Sequence, residues 1–185
     1  MIKTESQHLD DLISVLRKMK TPYYQSLLGT VATQITRMYI SNLERQKNNK
    51  IVAFGNGGSL EQASHFVTEL VVRFKKENQR RSLAAIVLRD PCILTAAAND
   101  LGYREVFARQ VEGIVYPGDI AIGISTSGSS PNIVRGLEEA RNRKALTIAL
   151  TGERGITTKV DYVIPVPSST TTRIQEAHLY ILHEI

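Results

Sequence analysis

Three groups of residues have the types and spacing to do chemistry. Gly55-Asn56-Gly57-Gly58-Ser59 follows the apolar run Ile51 to Phe54 and opens a helical pattern. Glycines at that point let the backbone turn sharply and aim its N–H groups at a bulky anion, with the positive end of the new helix behind them. His65 and Glu69 lie four residues apart in this helix, so both project from one face about a turn from the glycines. The stretch offers anion binding beside acid–base or metal chemistry. Taken alone, the His65 and Glu69 pair reads first as a surface ion pair, common at this helical spacing; its place next to the glycine loop favours a site.

The second group is Ser125-Thr126-Ser127-Gly128-Ser129-Ser130-Pro131-Asn132, again between an apolar run and a helical pattern. Hydroxyls and a glycine at a helix start can surround a phosphate with O–H and N–H donors and no fixed positive charge. A capped turn without a ligand is the alternative, since Ser and Pro commonly start helices. Thr151-Gly152 repeats the theme weakly and reads as a turn. Asn99-Asp100 reads either as a cap before a helix or as a polar pair lining a site.

The third group lies on the last helix, where Gln175, His178 and His183 are the polar candidates. Gln175 and His183 differ by about 80° and roughly 12 Å of rise, which makes joint ligation of one metal from one straight helix difficult. Either a neighbouring subunit supplies one of them, or their roles are not shared.

The elements that must position these groups alternate. Strands are expected at 51–54, 83–88, 119–124, 146–150 and 161–166, and helices at 59–74, 91–98, 103–114, 130–143 and 172–185. This is the βαβ rhythm of a five-stranded parallel sheet covered on both faces, with ligands beyond the carboxyl ends of the strands. Two further helices, 5–19 and 22–46, precede the first strand and carry apolar stripes that pack either on their own sheet or on another subunit. One domain covers 1–185, with the helices in 1–48 and the α/β core in 49–185.

Composition narrows the class. A chain of 185 residues, 42% hydrophobic, is long enough for one full core. No apolar run reaches the roughly 20 residues of a membrane span, and MIKTESQHLDDL is too polar for a secretion signal, so a cytoplasmic protein is expected. The single cysteine, Cys92, is assigned to packing. Net charge is +5, but the basic residues are dispersed apart from Arg73, Lys75, Lys76, Arg80 and Arg81, and no nucleic-acid motif accompanies them. That cluster reads as a solvated helix end and loop, or as an attractor of phosphorylated substrates. A nucleotide cofactor is disfavoured, because Leu60 replaces the third glycine of the dinucleotide motif, Arg89 rather than an acid ends the second strand, and no P-loop lysine follows the glycines.

Together the motifs GNGGS (55–59), AxHFxxEL (63–70), ANDxGYxEVFxRQVE (98–112), ISTSGxSPN (124–132), LTG (150–152) and RIQExHxxILH (173–183) resemble the bacterial phosphoheptose isomerases of the sugar isomerase (SIS) domain family. The resemblance implies a homotetramer of flavodoxin-like subunits, a three-layer α/β sandwich with sites at subunit interfaces, converting sedoheptulose 7-phosphate to D-glycero-D-manno-heptose 7-phosphate for surface-glycan heptose. It implies that Asn56, Gly57, Gly58 and Ser59 contact the sugar phosphate, that Ser125, Thr126, Ser127 and Ser130 hold the phosphate, and that Asn99 and Asp100 face the sugar. It places His65, Glu69, Gln175 and His183 at zinc-binding positions, Gln175 also meeting substrate, and Glu69 and His183 at those of the acid–base pair. Family members often carry Asp where this chain has Gln62, and some carry Asp at the position of Thr172. The rival reading is a non-catalytic relative that binds a sugar phosphate or the replication initiator protein; replication-type relatives lack the combination of Glu69 and His183. An isomerase or deaminating enzyme for another phosphosugar is a third.

Overall fold

The computed structural model describes residues 4–77 and 79–185. Helices α1 (Glu5–Met19) and α2 (Pro22–Arg45) lead into β1 (Ile51–Gly55), α3 (Gly58–Val71), β2 (Ala85–Val87) and α4 (Pro91–Leu101). A 3₁₀ turn at Tyr103–Glu105 precedes α5 (Ala108–Ile114), β3 (Ile120–Ser125), α6 (Pro131–Asn142), β4 (Leu146–Thr151), β5 (Tyr162–Pro165) and α7 (Thr171–Glu184). The five strands are all parallel, in the order β2-β1-β3-β4-β5. This is the flavodoxin-like order, whose ligand crevice opens between the first and third strands.

Alternation along the strands explains the layers. Ile51, Ala53, Ile120, Ile122 and Ile124 share one core with Phe66, Val67, Ile174, Ile181 and the α2 residues Leu28, Val31, Ile35 and Met38. Val52, Phe54, Ala121 and Ala149 face the other core, with Phe107, Val111, Ile133 and Leu137. The N-terminal helices therefore pack on their own sheet. Tyr24 and Tyr39 fasten α2 there by donating to the carbonyls of Pro165 and Ala84, at 2.7 and 3.0 Å. The same helices also expose Leu9, Ile13, Tyr23, Ile40 and Leu43, and a cavity of about 580 Å³ opens between α1, α2 and α7.

At the amino edge of the sheet, Asp119 accepts from the backbone N–H groups of Lys50 and Tyr116, at 3.0 and 2.9 Å, and from Lys50 Nζ at 2.7 Å. A nearly fully buried carboxylate thus joins the starts of β1 and β3.

Four expectations change. Helix α3 ends at Val71 rather than 74, because Arg80 folds back and donates to the carbonyls of Glu69 and Leu70, at 2.6 and 2.8 Å, ending the helix with a cation. Arg80 is thus not merely solvated. Helix α4 runs on through Asn99 and Asp100 until Gly102, at φ +90°, stops it, so this pair closes a helix instead of capping the next one. The expected helix 103–114 is split into the 3₁₀ turn and α5. Cys92 is exposed on α4, whose inward positions are taken by Leu94 and Ala97, so it does not serve the core.

His178 belongs to the core. Its ring nitrogen Nε2 lies 3.0 Å from the carbonyl of Thr151, while Nδ1 is buried with no hydrogen-bond partner among the described residues. Burial pulls its pKa from 6.5 down to about 4, opposed by the Thr151 hydrogen bond. Above pH 6.5 the ring is neutral in folded and unfolded chains alike. Between pH 6.5 and 4 only the unfolded chain takes up the proton, so stability falls with falling pH by up to about 1.4 kcal/mol per unit. Urea midpoints measured from pH 7 to 5 should drop more steeply for the wild type than for His178→Gln; equal slopes would contradict the assignment.

Candidate functional site

The glycine loop and the serine loop leave the carboxyl ends of adjacent strands, β1 and β3, which pair in register up to Gly55 and Ile124. Gly55 has no room for a side chain: a Cβ there would lie 2.8 Å from the backbone of Ser59. This close approach turns the chain directly from strand into helix. Gly57 and Gly58 are exposed, Asn56 is half-buried, and the Ser59 side chain is turned inward with the residue 4% exposed.

In the second loop the hydroxyls of Ser125, Ser127 and Ser130 converge, 3.2 to 3.5 Å apart. Side chains also cap the turn: Ser125 Oγ and Ser127 Oγ accept from the backbone N–H groups of Gly128 and Ser129, at 3.2 and 3.3 Å, and Asn132 Oδ1 from that of Ile133 at 3.0 Å. Ser130 stands at the N-cap of α6 but makes no side-chain cap, its hydroxyl being turned toward Ser125. The same holds for α3 and α7, whose N-caps Gly57 and Thr170 make no side-chain hydrogen bond. By contrast Thr4, Thr21 and Asp90 cap α1, α2 and α4. Helix starts left without side-chain caps at the carboxyl edge of the sheet suit a ligand that supplies the acceptor.

The titratable cluster joins two helices. On α3, His65 Nε2 is 3.0 Å from Glu69 Oε1. On α7, His183 Nε2 lies 3.3 Å from His65 Nε2 and 3.6 Å from the same Glu69 oxygen. Two imidazoles and a carboxylate aiming their ligand atoms at one point can hold a metal ion or exchange protons. Phe74 stacks on the His183 ring, 5.2 Å between centroids and 28° between planes, which holds the imidazole plane.

Gln175 stands two turns earlier on α7. Its side-chain amide lies beside Gly58, where a Cβ would come within 2.7 Å of Nε2, and its backbone carbonyl accepts from Gln62 Nε2. Within one chain Gln175 therefore belongs to the glycine loop, and the structure brings together three of the four expected ligands. Gln62 Oε1 is buried with no hydrogen-bond partner among the described residues. Asn99 and Asp100 are exposed and bonded to each other, at 2.7 Å. Thr126 is half-buried and faces a cleft of about 270 Å³ with Ser127, Ser129, Ser168, Ser169 and Thr171.

Several of these residues escaped the sequence reading. Ser168 and Ser169 form a second hydroxyl wall with no glycine signal to flag them. Tyr103 follows the helix-stopping Gly102, and its hydroxyl donates to Asn56 Oδ1 at 3.0 Å. Asn132 is nearly fully buried beside Asn56.

The contrast between two glycines can be measured. Gly55→Ala pushes a methyl group into backbone, so it should cost about 2 kcal/mol of stability. Gly58→Ala meets only the movable end of Gln175 and should keep its melting temperature within a few degrees while displacing that amide. Thermal unfolding of both variants checks this; equal losses would contradict the packing described.

Comparison with known proteins agrees with this architecture. A family model described as the SIS domain matches residues 34–152. The phosphoheptose isomerase of Nitratiruptor sp. is 54% identical over 147 residues, covering 78% of this chain and 76% of the relative. That of Bordetella avium is 39% identical over 191 residues, covering all of this chain and 92% of the relative. A solved phosphoheptose isomerase structure from Francisella tularensis superimposes with a TM-score of 0.82 at 33% identity, over 96% of this chain and 92% of that one. The chain belongs to the SIS domain family and, within it, to the phosphoheptose isomerases.

Proposed function

We propose that the protein is an aldose–ketose isomerase that converts D-sedoheptulose 7-phosphate to D-glycero-D-manno-heptose 7-phosphate in the cytoplasm, supplying heptose for surface glycans. One observation carries the reading: Glu69 and His183, from helices 118 residues apart at the His65–His183 contact, meet on the helix that begins at the glycine loop. A sugar phosphate held at one end by hydroxyls and helix N-termini would present its other end to a paired base and acid. No described helix is long and apolar enough to cross a membrane.

The chain's own residues account for the proton movements. The Glu69 carboxylate takes the proton from C1, beside the keto carbon, while His183 gives a proton to the carbonyl oxygen, forming the enediol. His183 then takes the proton from the C1 hydroxyl and Glu69 returns its proton to C2, leaving the aldose. Each group ends as it began. Such acid–base assistance is worth about 10²–10⁴ in rate. Phosphate binding at Ser125, Ser127 and Ser130 holds the reacting carbons in register from a distance.

The donor set fits zinc. Separations of 3.0, 3.3 and 3.6 Å among the three donor atoms bracket the roughly 3.3–3.4 Å between ligands of a tetrahedral ion with bonds of about 2.0–2.1 Å. His65, Glu69 and His183 would hold one ion per subunit, with Gln175 completing the set from a neighbouring copy. When bound, zinc would polarise the sugar's carbonyl and hydroxyl oxygens. Assembly as a homotetramer is supported by the apolar residues that α1 and α2 leave exposed.

The test is an assay of the purified protein with sedoheptulose 7-phosphate, with and without chelator and added zinc, detecting the aldoheptose. Zinc-restored turnover is expected; absence of turnover with sugar-phosphate binding intact would move the protein to the non-catalytic reading. Glu69→Gln should lower kcat by about 10²–10⁴ while calorimetric binding of the sugar phosphate changes by less than about threefold, since the phosphate loops are untouched. Retained turnover would remove Glu69 from its role.

A further inference from the structure

Between the two anion loops lies a polar contact that the reaction scheme does not use. Asn132, the second residue of α6, is 1% exposed. Its Nδ2 donates to Asn56 Oδ1 at 2.8 Å, and its Oδ1 accepts from Asn56 Nδ2 at 2.9 Å. Two side-chain amides thus close a cyclic pair across the crevice between β1 and β3. The pair has one orientation, because the backbone N–H of Ile133 donates to Asn132 Oδ1 at 3.0 Å and the Tyr103 hydroxyl donates to Asn56 Oδ1 at 3.0 Å. Turning either amide over would set donor against donor and acceptor against acceptor.

The consequence falls on Asn56. Both lone pairs of its carbonyl oxygen are taken, by Asn132 and by Tyr103. One of its two amide hydrogens goes to Asn132, so a single N–H is left, with its direction dictated from α6. Meanwhile the glycine loop cannot drift away from the serine loop without breaking two hydrogen bonds in a buried setting, where an unmade bond is costly. We infer that Asn132 is a positioning residue for phosphate. Acting through Asn56, it fixes the separation of the two loops and aims the remaining Asn56 N–H at an anion shared between them, with Tyr103 as the outer latch. This rests on the phosphate role proposed above for the loops, and it adds a coupling between them and two residues that carry it.

Binding of inorganic phosphate, measured by calorimetry, separates this from a packing role. Losing an aligned donor is worth about tenfold in affinity, so Asn132→Ala should raise the phosphate Kd by about tenfold. Asn56→Ala should do the same, and the double variant should be no worse than either single one. With the sugar phosphate, Asn132→Ala should raise KM by a similar factor and leave kcat within about threefold. A Kd within twofold of wild type, or effects of the two substitutions that add in full, would overturn the inference even if the variant melts at a lower temperature. Should Asn132→Ala fail to fold, Tyr103→Phe decides, since its side chain lies outside the core: phosphate Kd should rise about threefold with melting unchanged, and an unchanged Kd overturns the inference. Wild-type protein that binds no phosphate overturns the inference as well. Wild-type protein that binds phosphate but does not isomerise the heptose phosphate refutes the proposed reaction and leaves the coupling standing.

Discussion

Everything at the site depends on β1 and β3 lying side by side and parallel. Each strand must be followed by a helix, and here those helices cover opposite faces of the sheet, α3 on one and α6 on the other. The chain leaving β1 and the chain leaving β3 therefore part, and a crevice opens between two helix starts. At the opposite edge the same two strands are locked by Asp119. One end is closed with buried charge and hydrogen bonds, and the other is left open.

What fills that open end is decided by what the helices lack. An exposed helix start is ordinarily satisfied by a Ser, Thr or Asp side chain, as in α1, α2 and α4. In α3 the cap is glycine, which has nothing to offer, and in α6 it is a serine whose hydroxyl is directed elsewhere. No lysine or arginine stands among residues 55–59 or 125–132. An anion bound at these loops would meet neutral donors and helix dipoles, whose strength comes from alignment rather than from net charge, with Arg154 and Glu153 at the rim of the cleft that Thr126 and Ser127 line. Alignment needs rigidity, and the paired amides of Asn56 and Asn132 lie where rigidity is needed.

The central strands β1, β3 and β4 were legible in the sequence because burial on both faces leaves a short, β-branched signature, whereas the edge strand β2, expected over 83–88, is only the half-exposed Ala85–Val87. Both strand-to-helix loops were legible too, since glycine and serine clusters commonly mark such turns. What escaped was set by contacts distant in sequence. Helix α3 ends at Val71 because of Arg80, and no local pattern at 72–74 announces it. Asn99 and Asp100 looked like a cap because capping residues at a helix end and at a helix start are the same residues. His178 looked like a site candidate on a helix with other polar groups, and only its contact with Thr151 shows that it serves the core. Tyr103 and Asn132 needed the pairing of distant loops before either could be seen.

The relation among His65, Glu69 and His183 could not be drawn from spacing along one helix. A histidine and a glutamate four residues apart form a sufficient ion pair by themselves. A third group approaches from α7, its Nε2 3.3 Å from that of His65 and 3.6 Å from the Glu69 oxygen. Two imidazoles and a carboxylate so placed can share hydrogen bonds whose direction depends on the tautomers, or can converge on a cation. The roughly 12 Å that separates Gln175 from His183 along α7 lets one rigid helix touch the glycine loop near its start and the His65–Glu69 pair with its last turn, so the spacing between the loop and the cluster is set by a single element.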